Sequence, residues 1–211
     1  MPALLERLLG DDTPDEQVDL ESRQSDADEA LREAVDAGGY DVEDCGVTGV
    51  AVVNEGPDGE PVVVPIARFS LGEHVEDPDM DRVWDLVGEA AEALHTPFDG
   101  VFVRHYDVQF TFDGDELFEA EECRRVALTD ELVDRFATDP GFGLADLRDS
   151  VEAMDDIDDD IAPVAWGECK DYSHTADAAI VTAGAAAAAG ASASAASCAG
   201  AGAAGGGGGA C

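Results

Sequence analysis

Gly46-Val47-Thr48-Gly49-Val50-Ala51-Val52-Val53, then Asn54-Glu55-Gly56-Pro57-Asp58-Gly59, then Pro61-Val62-Val63-Val64-Pro65-Ile66-Ala67-Arg68-Phe69 form the stretch on which the fold turns. The outer blocks are rich in valine, whose branched Cβ suits a pleated, partly buried chain. The middle block is Asn, Gly, Pro and Asp, the residues that set turn geometry. Val47 to Val53 and Pro61 to Phe69 therefore pair as a hairpin, and the rest of the chain arranges around it.

On the N-terminal side, Ser25 opens a helix with Asp28 and Glu29 in its first turn, where carboxylates oppose the helix dipole. Ala30, Leu31, Ala34 and Val35 supply its apolar stripe, and Gly38-Gly39 stops it. On the C-terminal side, Asp79 or one of its neighbours caps a second helix in which Met80, Val83, Trp84, Val87, Ala91 and Leu94 recur at helical spacing, and Pro97 ends it. From Gly100 the alternation restarts with Val101 and Val103 in one phase and Val108, Phe110 and Phe112 in the other. A bulge or second turn must sit near Tyr106-Asp107. Asp113-Gly114-Asp115 predicts a hairpin toward Leu117 to Ala120, with Arg124 to Leu128 continuing as strand. Thr129 caps a helix through Phe136, Asp139-Pro140-Gly141 breaks it, and another runs from Leu144 to Met154.

The expected class is α+β: a single, mostly antiparallel sheet covered by helices, with flexible N- and C-terminal segments. Residues 1–24 read as a short amphipathic segment and an acidic linker, 25–170 as the domain, and 171–211 as an Ala/Gly-rich low-complexity tail. Beyond Asp177 no charged side chain remains. Ala178 to Ala196 is long enough to span a bilayer, but alanine, glycine and serine supply little transfer energy, and only Ile180 and Val181 are strong hydrophobes, so stable membrane insertion is not expected.

Acidic residues outnumber basic ones by 49 to 11, for a formal charge of -38, and Lys170 is the one lysine. In dilute buffer the Debye length is about 10 Å and neighbouring carboxylates repel one another; near 1 M salt it falls to about 3 Å. Such a surface is tolerable in brine and a liability without it. The composition resembles the cytosolic proteins of salt-in halophiles, chiefly haloarchaea, and the resemblance lies in the surface. Clustered Lys and Arg are missing, which argues against nucleic-acid binding and against an anionic membrane surface. Met1 to Leu9 has no long apolar core followed by a cleavage pattern, so the default expectation is cytoplasmic.

The order of elements, with the glycine-bracketed Gly46–Val53 strand at its start, resembles the roadblock or longin-type scaffolding domains over about residues 25 to 140. The long Leu71 to Pro78 connection departs from that pattern. The likeness implies a fold and does not assign an activity.

Few residue groups point to chemistry. His105 and Asp107 share a face on a regular strand, and a carboxylate beside an imidazole is the minimal equipment of acid–base catalysis. Arg104, Arg124 and Arg125 on neighbouring strands are candidates to hold an anion, although in so acidic a chain each is expected to find a carboxylate. Asp155 to Asp160 and Asp77-Pro78-Asp79-Met80-Asp81 lack the glycine and distal glutamate of a calcium loop. His74, His95 and His174 are isolated, and Cys45, Cys123, Cys169, Cys198 and Cys211 contain no CxxC pair, so structural thiols are expected and neither metal nor cofactor is. Leu4, Leu5, Leu8 and Leu9 recur at helical spacing and are candidates to dock on a protein groove.

Two function classes follow. The first is a salt-adapted interaction or regulatory module that meets a protein partner through apolar patches, leaning against enzymatic activity. The second is a small enzyme in which His105 and Asp107 act on an anionic substrate held by Arg104 or Arg124. Oligomeric state is not encoded in these residues.

Overall fold

A computed structural model of the chain describes residues 18–72, 74–112, 122–157, 162–167 and 179–181. The elements are α1 (Leu20–Gly38), β1 (Asp44–Glu55), β2 (Pro61–Ser70), α2 (Met80–His95), β3 (Phe102–Val103), β4 (Tyr106–Phe112), β5 (Glu122–Leu128), α3 (Asp130–Thr138), α4 (Leu144–Glu152), β6 (Val164–Gly167) and β7 (Ala179–Val181). The strands make one sheet in the order β6-β5-β4-β2-β1-β7, with β3 also pairing β2. β1–β2, β1–β7, β4–β5 and β5–β6 are antiparallel. Only the β2–β3 and β2–β4 pairs are parallel, because α2 carries the chain back across the sheet between them. The fold is α+β with a mostly antiparallel sheet, as the hydrophobic patterns imply.

The phase change expected near Tyr106 is a bulge lying slightly earlier. Val63 pairs with Val103 and Ile66 with Asp107, so three steps along β2 (63 to 66) face four on its neighbour (103 to 107). The extra residue falls at Arg104-His105, between β3 and β4. Because of it, Val101 and Val103 before the bulge and Tyr106, Val108 and Phe110 after it all pack into the same core.

That core lies between the sheet and the four helices. Leu31 and Val35 of α1, Leu86 and Leu94 of α2, Val133 of α3 and Leu147 of α4 meet Val50, Val63, Phe69, Phe110 and Leu128 from the strands. Phe69 and Phe110 stack with ring centroids 5.2 Å apart. The opposite face carries the smaller cluster Ala51, Val64 and Ile66.

α1 begins five residues before Ser25. Asp19 is the cap, accepting the Ser22 amide at 3.0 Å, and Ser25 sits inside the helix. The reason is burial upstream of the apolar stripe: Leu20 and Gln24 join Ala27, Leu31 and Val35 on the inner face. Gln24 donates to the Val47 carbonyl and Asp28 accepts the Val47 amide, each at 2.8 Å. These two side chains close the β1 edge where β7, opposite Val50 to Val52, no longer covers it. The acidic linker therefore ends before Leu20. Gly39 takes a left-handed φ of 68° and stops α1, as the glycine pair predicts.

Asp79 and Thr129 cap α2 and α3 as expected, accepting the Asp81 and Leu132 amides. The residues returning after Asp155-Asp160 form β6 against β5. Ala179–Val181 form β7, which pairs antiparallel with Val50 to Val52 of β1. The expected flexible ends, the leucines at 4, 5, 8 and 9, and the turn at Asp113–Asp115 lie outside the described residues. Among the described residues no helix is long and apolar enough to cross a membrane.

Candidate functional site

On β4, side chains alternate between the two faces of the sheet. Tyr106, Val108 and Phe110 enter the core, which sends Asp107 and Gln109 to the face away from the helices. Strand pairing places Arg68 of β2 and Arg125 of β5 directly opposite Gln109, so three polar residues stand in one row across three strands. Arg68 donates to Gln109 Oε1 through Nη2 at 2.7 Å and Nε at 3.2 Å. Gln109 in turn donates through Nε2 to Asp107 Oδ2 at 3.1 Å. Asp107 Oδ1 lies 3.2 Å from Arg125 Nε.

Asp107 and Gln109 are fully buried, and Arg125 is 9% exposed. A buried carboxylate is tolerable only when cations and donors replace the lost water, and the Arg68–Gln109–Asp107–Arg125 chain supplies both. Sequence reasoning finds Asp107 as the polar residue of consequence but assigns it His105. The signal for its actual partners is register: residues 68, 109 and 125 become neighbours only once the strand pairing is known.

His105 sits in the bulge with no exposed surface, and no described cavity is lined by it or by Asp107. Arg104, also in the bulge, donates its backbone amide to Val63 at 2.9 Å and is half-buried. Arg124 is adjacent to Arg125 in sequence and therefore lies on the other face. There it pairs with Asp77 at 3.3 Å, contacts Met80 Sδ, and stands 5.4 Å from the Phe112 ring centroid. The structure thus separates Arg124 from Asp107 and puts Arg125 beside it.

Several other polar groups have local partners. Asp79 caps α2, Asp81 pairs with Arg148 at 3.1 Å, and His95 meets Asp134 at 3.3 Å. Arg32 and Arg135 likewise pair with Asp28 and Asp139 one helical turn away. Among the described residues no three His, Cys, Asp or Glu side chains converge as a metal site. Cys45 is a thiol whose pKa is raised, first by burial and partly offset by Arg32. Cys123 is disulfide-bonded, which corrects the expectation of a plain thiol there: spacing rules cannot see cysteines that folding brings together. Its partner lies outside the described residues.

Phe102 is the one large hydrophobic side chain left open among the described residues, at 60% exposure. It sits in two-residue β3, opposite half-buried Val62 and next to the bulge. The residues gathered here offer two things: a largely buried charge network that ties β2, β4 and β5 together, and an aromatic side chain of β3 facing solvent. No family model matches the chain, and neither a curated protein nor a solved structure proves similar to it.

Proposed function

We propose that this chain is a salt-adapted cytoplasmic module that works by binding a protein partner, in a regulatory or accessory role. The observation that carries this reading is the exposure of Phe102 on β3, beside Val62 of β2. An aromatic anchor entering a partner's pocket is the kind of contact that dominates protein interfaces. The sealed state of His105 and Asp107 supports the same reading, since an acid–base pair acts by reaching a substrate proton. The charge of -38 supports a partner recognised through apolar contact and not a phosphate backbone.

The test is affinity capture in molar KCl with the full chain, the Phe102→Asp variant and a form lacking residues 1–10. Loss of a captured protein with Phe102→Asp supports Phe102 as the contact. Loss with the truncation assigns it to Leu4, Leu5, Leu8 and Leu9. A captured protein retained by both altered forms contradicts docking at either place.

A further inference from the structure

α2, α4 and the segment leading into β6 leave a cavity of about 310 Å³ between them. Met80, Trp84, Val151, Met154 and Pro163 give its wall an apolar side, and Glu152 and Asp155 add carboxylates, so the lining is mixed. This size is near the lower end of small-molecule sites, which run from about 300 to 1,000 Å³.

The wall contains an unmet hydrogen-bonding need. Trp84 is 2% exposed, and its indole Nε1 is buried with no hydrogen-bond partner. The indole N–H only donates, and buried donors are almost always paired, so this one calls for an acceptor that the chain does not supply. The neighbouring cations are already engaged. Arg148 stands 5.7 Å from the Trp84 ring centroid and holds Glu152 at 2.9 Å and Asp81 at 3.1 Å. Arg124 is held by Asp77 and Met80. With its cations neutralised and Asp155 on the wall, the cavity disfavours an anionic guest.

We propose that this cavity is a binding site for a small, uncharged molecule with an apolar part and a hydrogen-bond acceptor, such as a carbonyl or ether oxygen, for the Trp84 N–H. The indole nitrogen is itself closed to solvent, so a guest must push part of the wall aside. Met80 and Met154 suit that movement, because unbranched thioethers change rotamer and repack readily. This inference stands apart from the docking role of Phe102, which sits in β3 against β2, whereas the cavity borders the segment leading into β6.

The experiment follows the indole ¹H–¹⁵N resonance of Trp84 in the full-length protein in molar KCl, assigned by its loss in Trp84→Phe. Cyclopentanone, cyclopentane and cyclopentanecarboxylate are the probes, since they share an apolar body and differ in acceptor and charge. Saturable displacement of the Trp84 resonance by cyclopentanone is expected, with at least tenfold weaker binding of the carboxylate and no comparable displacement by cyclopentane. Ala162→Trp and, separately, Met154→Trp fill the cavity from its wall and should each weaken cyclopentanone at least tenfold. Absence of a saturable cyclopentanone effect, equal binding of the carboxylate, or binding unchanged in whichever filled variant remains folded overturns the proposal.

Discussion

Replacing Asp107 with alanine removes the carboxylate at the centre of the Arg68–Gln109–Asp107–Arg125 chain. Arg125, 9% exposed, then keeps a charge with no compensation at 3.2 Å, and Gln109 Nε2 loses its acceptor. Breaking a buried ion pair from one side costs about 3–5 kcal/mol, and the orphaned amide contributes within that range. Against a total stability of about 5–15 kcal/mol this is a large fraction. With a urea slope of about 2 kcal/mol per molar, the midpoint should move down by about 2 M. Urea unfolding is the suitable assay because it leaves ionic strength constant. Asp107→Leu combined with Arg125→Leu should recover part of the loss, giving a coupling energy of at least about 1 kcal/mol in a double-mutant cycle. The pair is shielded from solvent, so the coupling should be nearly the same at low and high molar KCl, unlike that of exposed pairs. A loss below about 1 kcal/mol for Asp107→Ala, or additive behaviour of the two positions, refutes the network as a stabilising element.

Burial first, and then the Glu89 hydrogen bond at 2.9 Å, push the Tyr40 phenol up to about 12 from 10.0. The unfolded phenol ionises first, so stability present below pH 10 should decline as pH rises from 10 toward 12, and Glu89→Gln should shallow that decline in urea midpoints measured across this window. Tyr106 shifts in the same direction, through burial and then Asp130, and adds to the effect. At Gly88 of α2 a new Cβ would lie 3.1 Å from a Leu144 methyl and 3.5 Å from the Phe136 ring. The helix preference for alanine, about 1 kcal/mol, should offset the tight contact in Gly88→Ala, whereas Gly88→Val should lower stability by about 1–3 kcal/mol in thermal or urea unfolding. Thr129→Ala removes the cap that accepts the Leu132 amide at 3.3 Å and should cost about 1 kcal/mol, with Thr129→Ser largely preserving stability.

Periodicity carried much of this fold because local chemistry and tertiary packing agree there. The Val47–Val53 and Pro61–Phe69 strands, the Asp79 cap and the helical spacing from Met80 to Leu94 all describe what forms. The start of α1 was less legible: Ser25 has good capping chemistry, but burial of Leu20 and Gln24 extends the helix back to Asp19. Composition likewise hid β7, since Ile180 and Val181 are surrounded by alanine and acquire a role only from the free edge of β1. The polar chain behind Asp107 depends on register. The row Arg68, Gln109, Arg125 is made by long-range pairings that no local window contains, and the same pairings fix at Arg104-His105 the bulge that the local phase change places near Tyr106-Asp107. Nor does any spacing rule expose Trp84 as a donor without an acceptor, because its place on the buried face of α2 is what periodicity predicts.

The central claim is that concentrated electrolyte is the solvent in which a chain of charge -38 folds. Thermal unfolding of the full-length protein in a KCl series from about 0.05 to 3 M tests it, since this range shortens the Debye length from well above 10 Å to below 3 Å. The melting temperature should rise by at least about 10 °C across the series, equivalent to about 3–5 kcal/mol for a chain of this size. A melting curve unchanged between the two ends would contradict the claim.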